Sequence, residues 1–282
     1  MVPFTKGHGL GNDYIVMDQR DLDGPLTPGR ISALCDRHLG IGADGILLRV
    51  SPTAGADFGV RIFNPDGSEA EKSGNGLRIF AKYLWDNSQT VSAVFSVETR
   101  GGRVECQCHP ANGRMNDVTV EMGRCTFRAS EIPMSGDDRE VVNESIQVGE
   151  EALVITAVSL GNPHCVVFTD HLDESVVRGL GPRLETHSSF PNRTNVQFAW
   201  VVSRNEAAIM IWERGAGWTR ASGSSSCGVA AAAVRTGRCD PGPITVTMPG
   251  GTLQVEVRPD WSLRLRGPVE EAYRGQRAAN LS

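Results

Sequence analysis

The sequence predicts an α+β protein of two pseudo-symmetric domains, each with strands wrapped around a central helix. Three observations lead there. The chain repeats itself: LGNDYIVM (10–17) aligns with LGNPHCVV (160–167) at an offset of 150, and RIFNPDGSEAEKSGNG (61–76) with MIWERGAGWTRASGSS (210–225) at an offset of 149. Two separate segments sharing nearly one offset mark an internal duplication, and only two copies make a pair of domains, not a solenoid. Strand-like alternation outnumbers helical periodicity in both halves. Finally, each half sets a Ser-Gly turn before a helical stretch, at Ser73-Gly74 and at Ser222-Gly223.

Along the first half, alternation predicts strands at 12–18, 58–63, 91–98, 102–108 and 116–122. The second half gives 153–159, 165–169, 195–202, 207–212, 244–248 and 252–257, with turn signals such as PDG, RGG and PGG between strands. Helices are expected over 28–38, 75–85, 172–184 and 225–236. Thr27-Pro28 supplies a cap followed by proline at the first helical position, and Asp170 or Asp173 caps the third helix. The stretch 121–150 contains SGDDREVVNES, polar and without helical period, and is expected to be the linker. The domains then run 1–121, joined by a C-terminal strand at 264–277, and 122–263.

With 282 residues, 40% hydrophobic and 22% charged, the chain has an ample core for a globular protein. A net charge of −5 speaks against a nucleic-acid partner, whose surface would be basic. The first residues, MVPFTK, carry no apolar signal stretch, and no apolar run is long enough for a membrane span, so a cytoplasmic location is expected. Seven cysteines, an odd number without a signal peptide, do not read as a disulfide framework. Cys106-Gln107-Cys108-His109 has the wrong spacing for a zinc site and the right alternation for a strand, so no metal is expected.

The duplicated turns carry the chemistry. A helix N-terminus presents unpaired N–H groups and the positive end of its dipole, and glycine lets an anion come close. One such turn is an ordinary cap. Two, related by duplication and facing each other, would hold one carboxylate and stabilise the charge that develops when its α-proton leaves. One group from each half would then serve opposite faces of that carbon, as in a racemase or epimerase that needs no cofactor.

The chain resembles the diaminopimelate epimerase family, within the wider fold group of proline racemase and the phenazine-biosynthesis isomerases. The resemblance covers nearly the whole chain. It rests on HGLGNDY (8–14), GADG (42–45), FNPDGSEAEKSGNG (63–76), LGNPHCV (160–166), NRTNVQF (192–198) and WERGAGWTRASGSSSCG (212–228). It implies the diaminopimelate-epimerase-like fold and epimerisation of LL- to meso-diaminopimelate without pyridoxal phosphate, in lysine and peptidoglycan synthesis. It also implies an isomerase with a small amino acid as partner and a homodimer as a common assembly.

In that family two cysteines at the helix mouths form the acid–base pair; here the catalytic positions are Ser73 and Ser222. The resemblance further implies substrate binding by Asn12, Asn64, Asn162, Asn195, Glu213 and Arg214, with backbone N–H groups from Gly74, Asn75, Gly223 and Ser224. The four asparagines also suit turns. Cys227 reads as a small buried helix residue, and His164 as a structural histidine or one touching the site. Trp218 stands where the family commonly has Glu.

A thiol titrates near 8.5 and lower beside a helix dipole, whereas a serine hydroxyl needs a neighbour to activate it. The residues therefore leave alternatives open beside epimerisation. One is a racemase or a β-eliminating or dehydrating enzyme on another amino acid; another is a non-catalytic diaminopimelate-binding homologue. Paired Cys→Ser replacement made to trap a complex would give the same two serines, but Trp218 and the SGSSS run speak for natural divergence.

Overall fold

A computed structural model describes residues 1–277. The chain divides into two compact units, Met1–Glu121 with the segment from Arg266 onward, and Met122–Leu265. The first contains β1 (Val2–Gly9), β2 (Asn12–Asp18), α1 (Pro28–Cys35), β3 (Ile46–Val50), β4 (Phe58–Phe63), β5 (Glu69–Ala70), α2 (Gly74–Asp86), β6 (Val94–Thr99) and β7 (Gly102–Ala111). β8 (Arg114–Arg124) carries the chain across the boundary. The second contains β9 (Glu144–Val148), β10 (Glu151–Ser159), β11 (Pro163–Phe168), α3 (Glu174–Glu185), β12 (Asn195–Ser203), β13 (Glu206–Glu213), β14 (Gly217–Thr219), α4 (Gly223–Arg235), β15 (Gly242–Met248) and β16 (Gly251–Val257). β17 (Ser262–Pro268) leads back, and β18 (Glu270–Arg277) pairs antiparallel with β1 in the first unit.

The duplication seen in the sequence is present in the pairing. β1–β2, β3–β4, β4–β5 and β6–β7 are antiparallel, while β2–β3 and β4–β6 are parallel. The second unit repeats this: β10–β11, β12–β13, β13–β14 and β15–β16 antiparallel, β11–β12 and β13–β15 parallel. Even the register is kept, since Ile15 pairs with Ile46 and Cys165 with Val196, each shifted by the repeat. The α+β class therefore holds for both units.

Each unit has one helix buried along nearly its whole length. In α2, Leu77, Phe80, Ala81 and Leu84 are fully buried and even Arg78 and Lys82 are enclosed. In α4 the enclosed positions are small, with Ala230–Ala233 all at 0% exposure. α4, small and apolar on nearly every side, suits a place inside strands, and α2 takes the same place with its polar residues held by hydrogen bonds, Arg78 to Gly74 O and Lys82 to Met115 O. The other helices pack on one face. Thr27 caps α1 by accepting from Arg30 N at 3.3 Å, and Asp173 caps α3 by accepting from Ser175 N at 2.8 Å.

The expected linker at 121–150 is not one. Ala129, Ile132, Met134, Val141 and Ile146 enter the second unit's core with Val177, Leu184 and Phe198. The polar residues of SGDDREVVNES belong to turns that lie over these anchors, among them Asp138, which accepts from Arg128 and Ser130.

Cys106 and Cys108 lie on β7, buried, and His109 Nε2 meets Thr119 Oγ1 at 2.8 Å. Burial pushes the Cys108 thiol up to about 12. All seven cysteines are buried and carry no disulfide. Among the described residues no helix is long and apolar enough to cross a membrane.

Candidate active site

Ser73 and Ser222 are the N-caps of α2 and α4. Each has an extended backbone, φ −140° and −150°, so its side chain turns back over the first helical turn. Ser73 Oγ accepts from Gly76 N at 3.0 Å, and Ser222 Oγ from Ser225 N at 3.5 Å. The first-turn N–H groups of Gly74 and Asn75, and of Gly223 and Ser224, have no acceptor within their own helix, the normal state of a helix start. Both mouths thus present backbone N–H donors and the positive end of a helix dipole, with a hydroxyl at the rim.

In the first unit the asparagines at the mouth form a chain of hydrogen bonds. Asn75 Nδ2 donates to Asn12 Oδ1 at 3.1 Å, and Asn12 Nδ2 to Asp44 Oδ2 at 3.0 Å. Behind them Arg78, at 0% exposure, donates to Asn75 Oδ1 at 2.7 Å and to Gly74 O at 3.2 Å. Gly9 makes room for that guanidinium: a Cβ there would lie 2.9 Å from Arg78 Nη2. On the other side Arg37 binds both Asp13 (2.8 Å) and Asp44 (2.7 Å), and Lys6 binds Asp13 at 2.9 Å. Burial pushes the Asp13 carboxyl up, but the Arg37 fork and the Lys6 ammonium outweigh it and hold it well below the usual carboxylate range. Asn64 serves its own turn, donating to Ser68 Oγ at 2.9 Å.

The second unit organises its mouth differently. His164, fully buried, meets Asn162 Oδ1 through Nε2 at 3.1 Å and Gln197 Nε2 through Nδ1 at 3.1 Å. Gln197 also donates to Ser225 Oγ at 3.0 Å, which links Asn162 to the first turn of α4. Asn195 Nδ2 donates to Pro163 O at 2.9 Å, and its Oδ1 accepts from Arg214 N at 3.0 Å. The turn after Glu213 is held by Glu185, which accepts from Gly215 N at 2.7 Å and Trp212 Nε1 at 2.8 Å and pairs with Arg193. Arg214 itself is exposed, donating to Asn192 O at 3.2 Å.

The structure thus brings Ser73, Gly74, Asn75 and Asn12 together in one unit. In the other, Ser222, Gly223 and Ser224 form the helix mouth, Asn162 is tied to it, and Asn195 is bonded to Arg214, the residue after Glu213. Tyr14, Asp44, Arg78, Glu185 and Gln197 were not singled out by sequence. Tyr14, Asp44 and Gln197 lie inside the motifs, but their side chains, like that of Glu185, act on partners far along the chain, and Arg78 looks like any helical arginine until its burial is known.

His164 gives this site a pH signature. Burial and the nearby Arg214 charge push its imidazole down to about 3, against its ordinary 6.5, so it stays neutral and holds Asn162 as a donor from Nε2. Because the unfolded chain takes up this proton below pH 6.5 and the folded one only near 3, stability falls as pH drops through that interval. We expect the thermal midpoint to decline from pH 6.5 downward and His164→Gln to flatten that slope; an unchanged slope in the variant would assign the decline to other groups.

The profile of the family described as Diaminopimelate epimerase matches residues 4–128 and 156–270. The chain is 48% identical over 278 residues to Diaminopimelate epimerase 2 of a Nostoc species, covering 99% of this chain and 96% of the relative. It is 43% identical to the Diaminopimelate epimerase of Desulforudis audaxviator, covering 97% and 98%. Among solved structures, a probable proline racemase from Agrobacterium radiobacter superposes with a TM-score of 0.72 at 14% identity, covering 99% of this chain and 94% of that one. A PhzF-family phenazine biosynthesis protein of Bacillus anthracis gives 0.68 at 14%, covering 97% and 98%. These two likenesses establish the two-domain fold; the profile and the relatives go further, and the chain belongs to the diaminopimelate epimerase family.

Proposed function

We propose that this protein is an isomerase that inverts one α-carbon of diaminopimelate, interconverting the LL and meso forms, as a step of lysine synthesis. The observation that carries the reading is identity of 39–48% with relatives of that name over nearly the whole chain. Each unit contributes one helix mouth. The first-turn N–H groups of Gly74, Asn75, Gly223 and Ser224 bind the reacting carboxylate and stabilise the enediolate-like charge as the α-proton leaves. Ser73 and Ser222 are the two proton-transfer groups, one removing the α-proton and the other supplying its replacement. Glu213 and Arg214 recognise the distal ammonium and carboxylate, a pairing that suits their charges, and Asn12, Asn64, Asn162 and Asn195 complete the amino-acid site. On the same reading the enzyme works in the cytoplasm, as a homodimer, on a free amino acid.

The test is deuterium incorporation at the α-carbon of LL- or meso-diaminopimelate in D₂O. Incorporation that accompanies inversion is expected; a folded protein that exchanges no α-proton would exclude the reaction. The serines favour a second reading, elimination or dehydration of a β-hydroxy amino acid, because a hydroxyl is a weaker base than the thiolate. Release of ammonia and keto acid without inversion distinguishes it.

A further inference from the structure

We infer that Tyr14 is a positioning residue for Ser73, a phenol that takes and returns the proton the serine hydroxyl moves. The inference rests on the reading that Ser73 stands at the reacting α-carbon. Tyr14 Oη lies 3.3 Å from Ser73 Oγ, although 59 residues separate them in the chain. Ser73 Oγ accepts from Gly76 N, which leaves it one proton to give and one lone pair to receive with.

The fold makes a place for this ring. Tyr14 is 7% exposed on β2, and Gly45 lies beside it, just before β3. A Cβ on Gly45 would come within 2.7 Å of Tyr14 Cε1 and 2.5 Å of Phe63 O, so any side chain there displaces the ring. In the internal repeat Tyr14 corresponds to His164 and Gly45 to Asn195. There the histidine turns to Asn162 and Gln197, and Ser222 Oγ has beside it Ser224 Oγ at 3.5 Å. The two helix mouths share a serine and a glycine, and they differ in what reaches the hydroxyl.

A phenol ionises near pH 10 in water, far more readily than an aliphatic hydroxyl. In the forward direction the Cα–H bond breaks as its proton bonds to Ser73 Oγ. The proton Ser73 held passes to the Tyr14 phenolate, and the negative charge ends on the substrate carbon and its carboxylate. In the return direction Ser73 protonates the carbanion and Tyr14 refills Ser73, leaving a phenolate. Protons and charge balance with no co-reactant. The charged side chains on the elements around Tyr14 are engaged with other groups: Lys6 with Asp13, Arg37 with Asp13 and Asp44, Arg78 with Gly74 O and Asn75, His8 beside Glu270, and Lys72 with Glu121 O.

Two measurements test this. The first is the pH profile of α-proton exchange for the wild type and Tyr14→Phe, a change that keeps the ring. The variant is expected to lose about tenfold in rate and the alkaline rise of the profile. The second needs no turnover: the pH dependence of iodoacetamide alkylation in Ser73→Cys, with and without Tyr14→Phe. All native thiols are buried, so the new one dominates the signal. Loss of the phenol's hydrogen bond is expected to raise that thiol's titration by about one pH unit. Wild-type exchange with an unchanged profile in Tyr14→Phe overturns the inference and leaves the epimerase reading standing. An unchanged thiol titration overturns it as well. Absence of exchange in both the wild type and Ser73→Cys overturns the epimerase reading, and the proton relay with it.

Discussion

Ser222→Cys is expected to raise the rate of α-proton exchange on diaminopimelate about 100-fold, and Ser73→Cys by a smaller factor. A correctly placed general acid or base contributes on the order of 10² to 10⁴ in rate, provided its titration lies near the working pH. A thiol at a helix start meets that condition, because the dipole and the first-turn N–H groups stabilise the thiolate. A hydroxyl in the same place does not. Ser222 gains most because its neighbours are Ser224 Oγ and Ser225 N, neither of which accepts a proton at neutral pH. Ser73 already has the Tyr14 phenol at 3.3 Å. The double variant should be fastest. Steady-state exchange in D₂O, with inversion followed by chiral separation, checks the order. Equal rates in wild type and Ser222→Cys would mean that the hydroxyl is not the limiting group.

The large features were legible because they depend on local pattern repeated twice. The Ser-Gly turns place the starts of α2 and α4 within two residues, since cap and first turn are sequence-local. α1 ends at Cys35, earlier than expected, because Asp36 Oδ1 accepts from His38 N and Leu39 N and turns the chain. β3, ILLRV, escaped because a short apolar run has no alternation to show its period. The stretch before β9 read as a linker because its core anchors, from Ala129 to Val141, are spaced by turns instead of by a helix or strand repeat. The site divides the same way. Ser73 and Ser222 announce themselves beside glycines, whereas Arg78 looks like an exposed helix residue until the strands close around it. Tyr14 reads as a core aromatic because nothing local points to Ser73, and Glu185 looks like a surface carboxylate until Trp212 and Gly215 reach it from β13 and the turn after it.

Loss of Arg78 should cost the first unit as much as truncating a core side chain. It is a full charge at 0% exposure, bonded to Gly74 O and Asn75 Oδ1 at the positive end of α2, where a cation is otherwise unfavourable. Its repeat counterpart is Cys227, so the same core position is met in the second unit by a small thiol with no comparable reach. Arg78→Ala removes the donors and leaves a cavity, for an expected loss of about 3 kcal/mol. Arg78→Met refills much of the volume and relieves the buried charge, leaving chiefly Asn75 Oδ1 without its donor, since Gly74 O keeps its place in the helix ladder, at a cost of about 1–2 kcal/mol. Urea unfolding separates the two. Activity should not follow stability. Both variants release Asn75, and through it Asn12, so Arg78→Met is expected to fold and still lose about tenfold in exchange. If Arg78→Met folded and exchanged at the wild-type rate, the guanidinium would be filling space in the core, and the orientation of Asn75 and Asn12 would have to come from Asp44 alone.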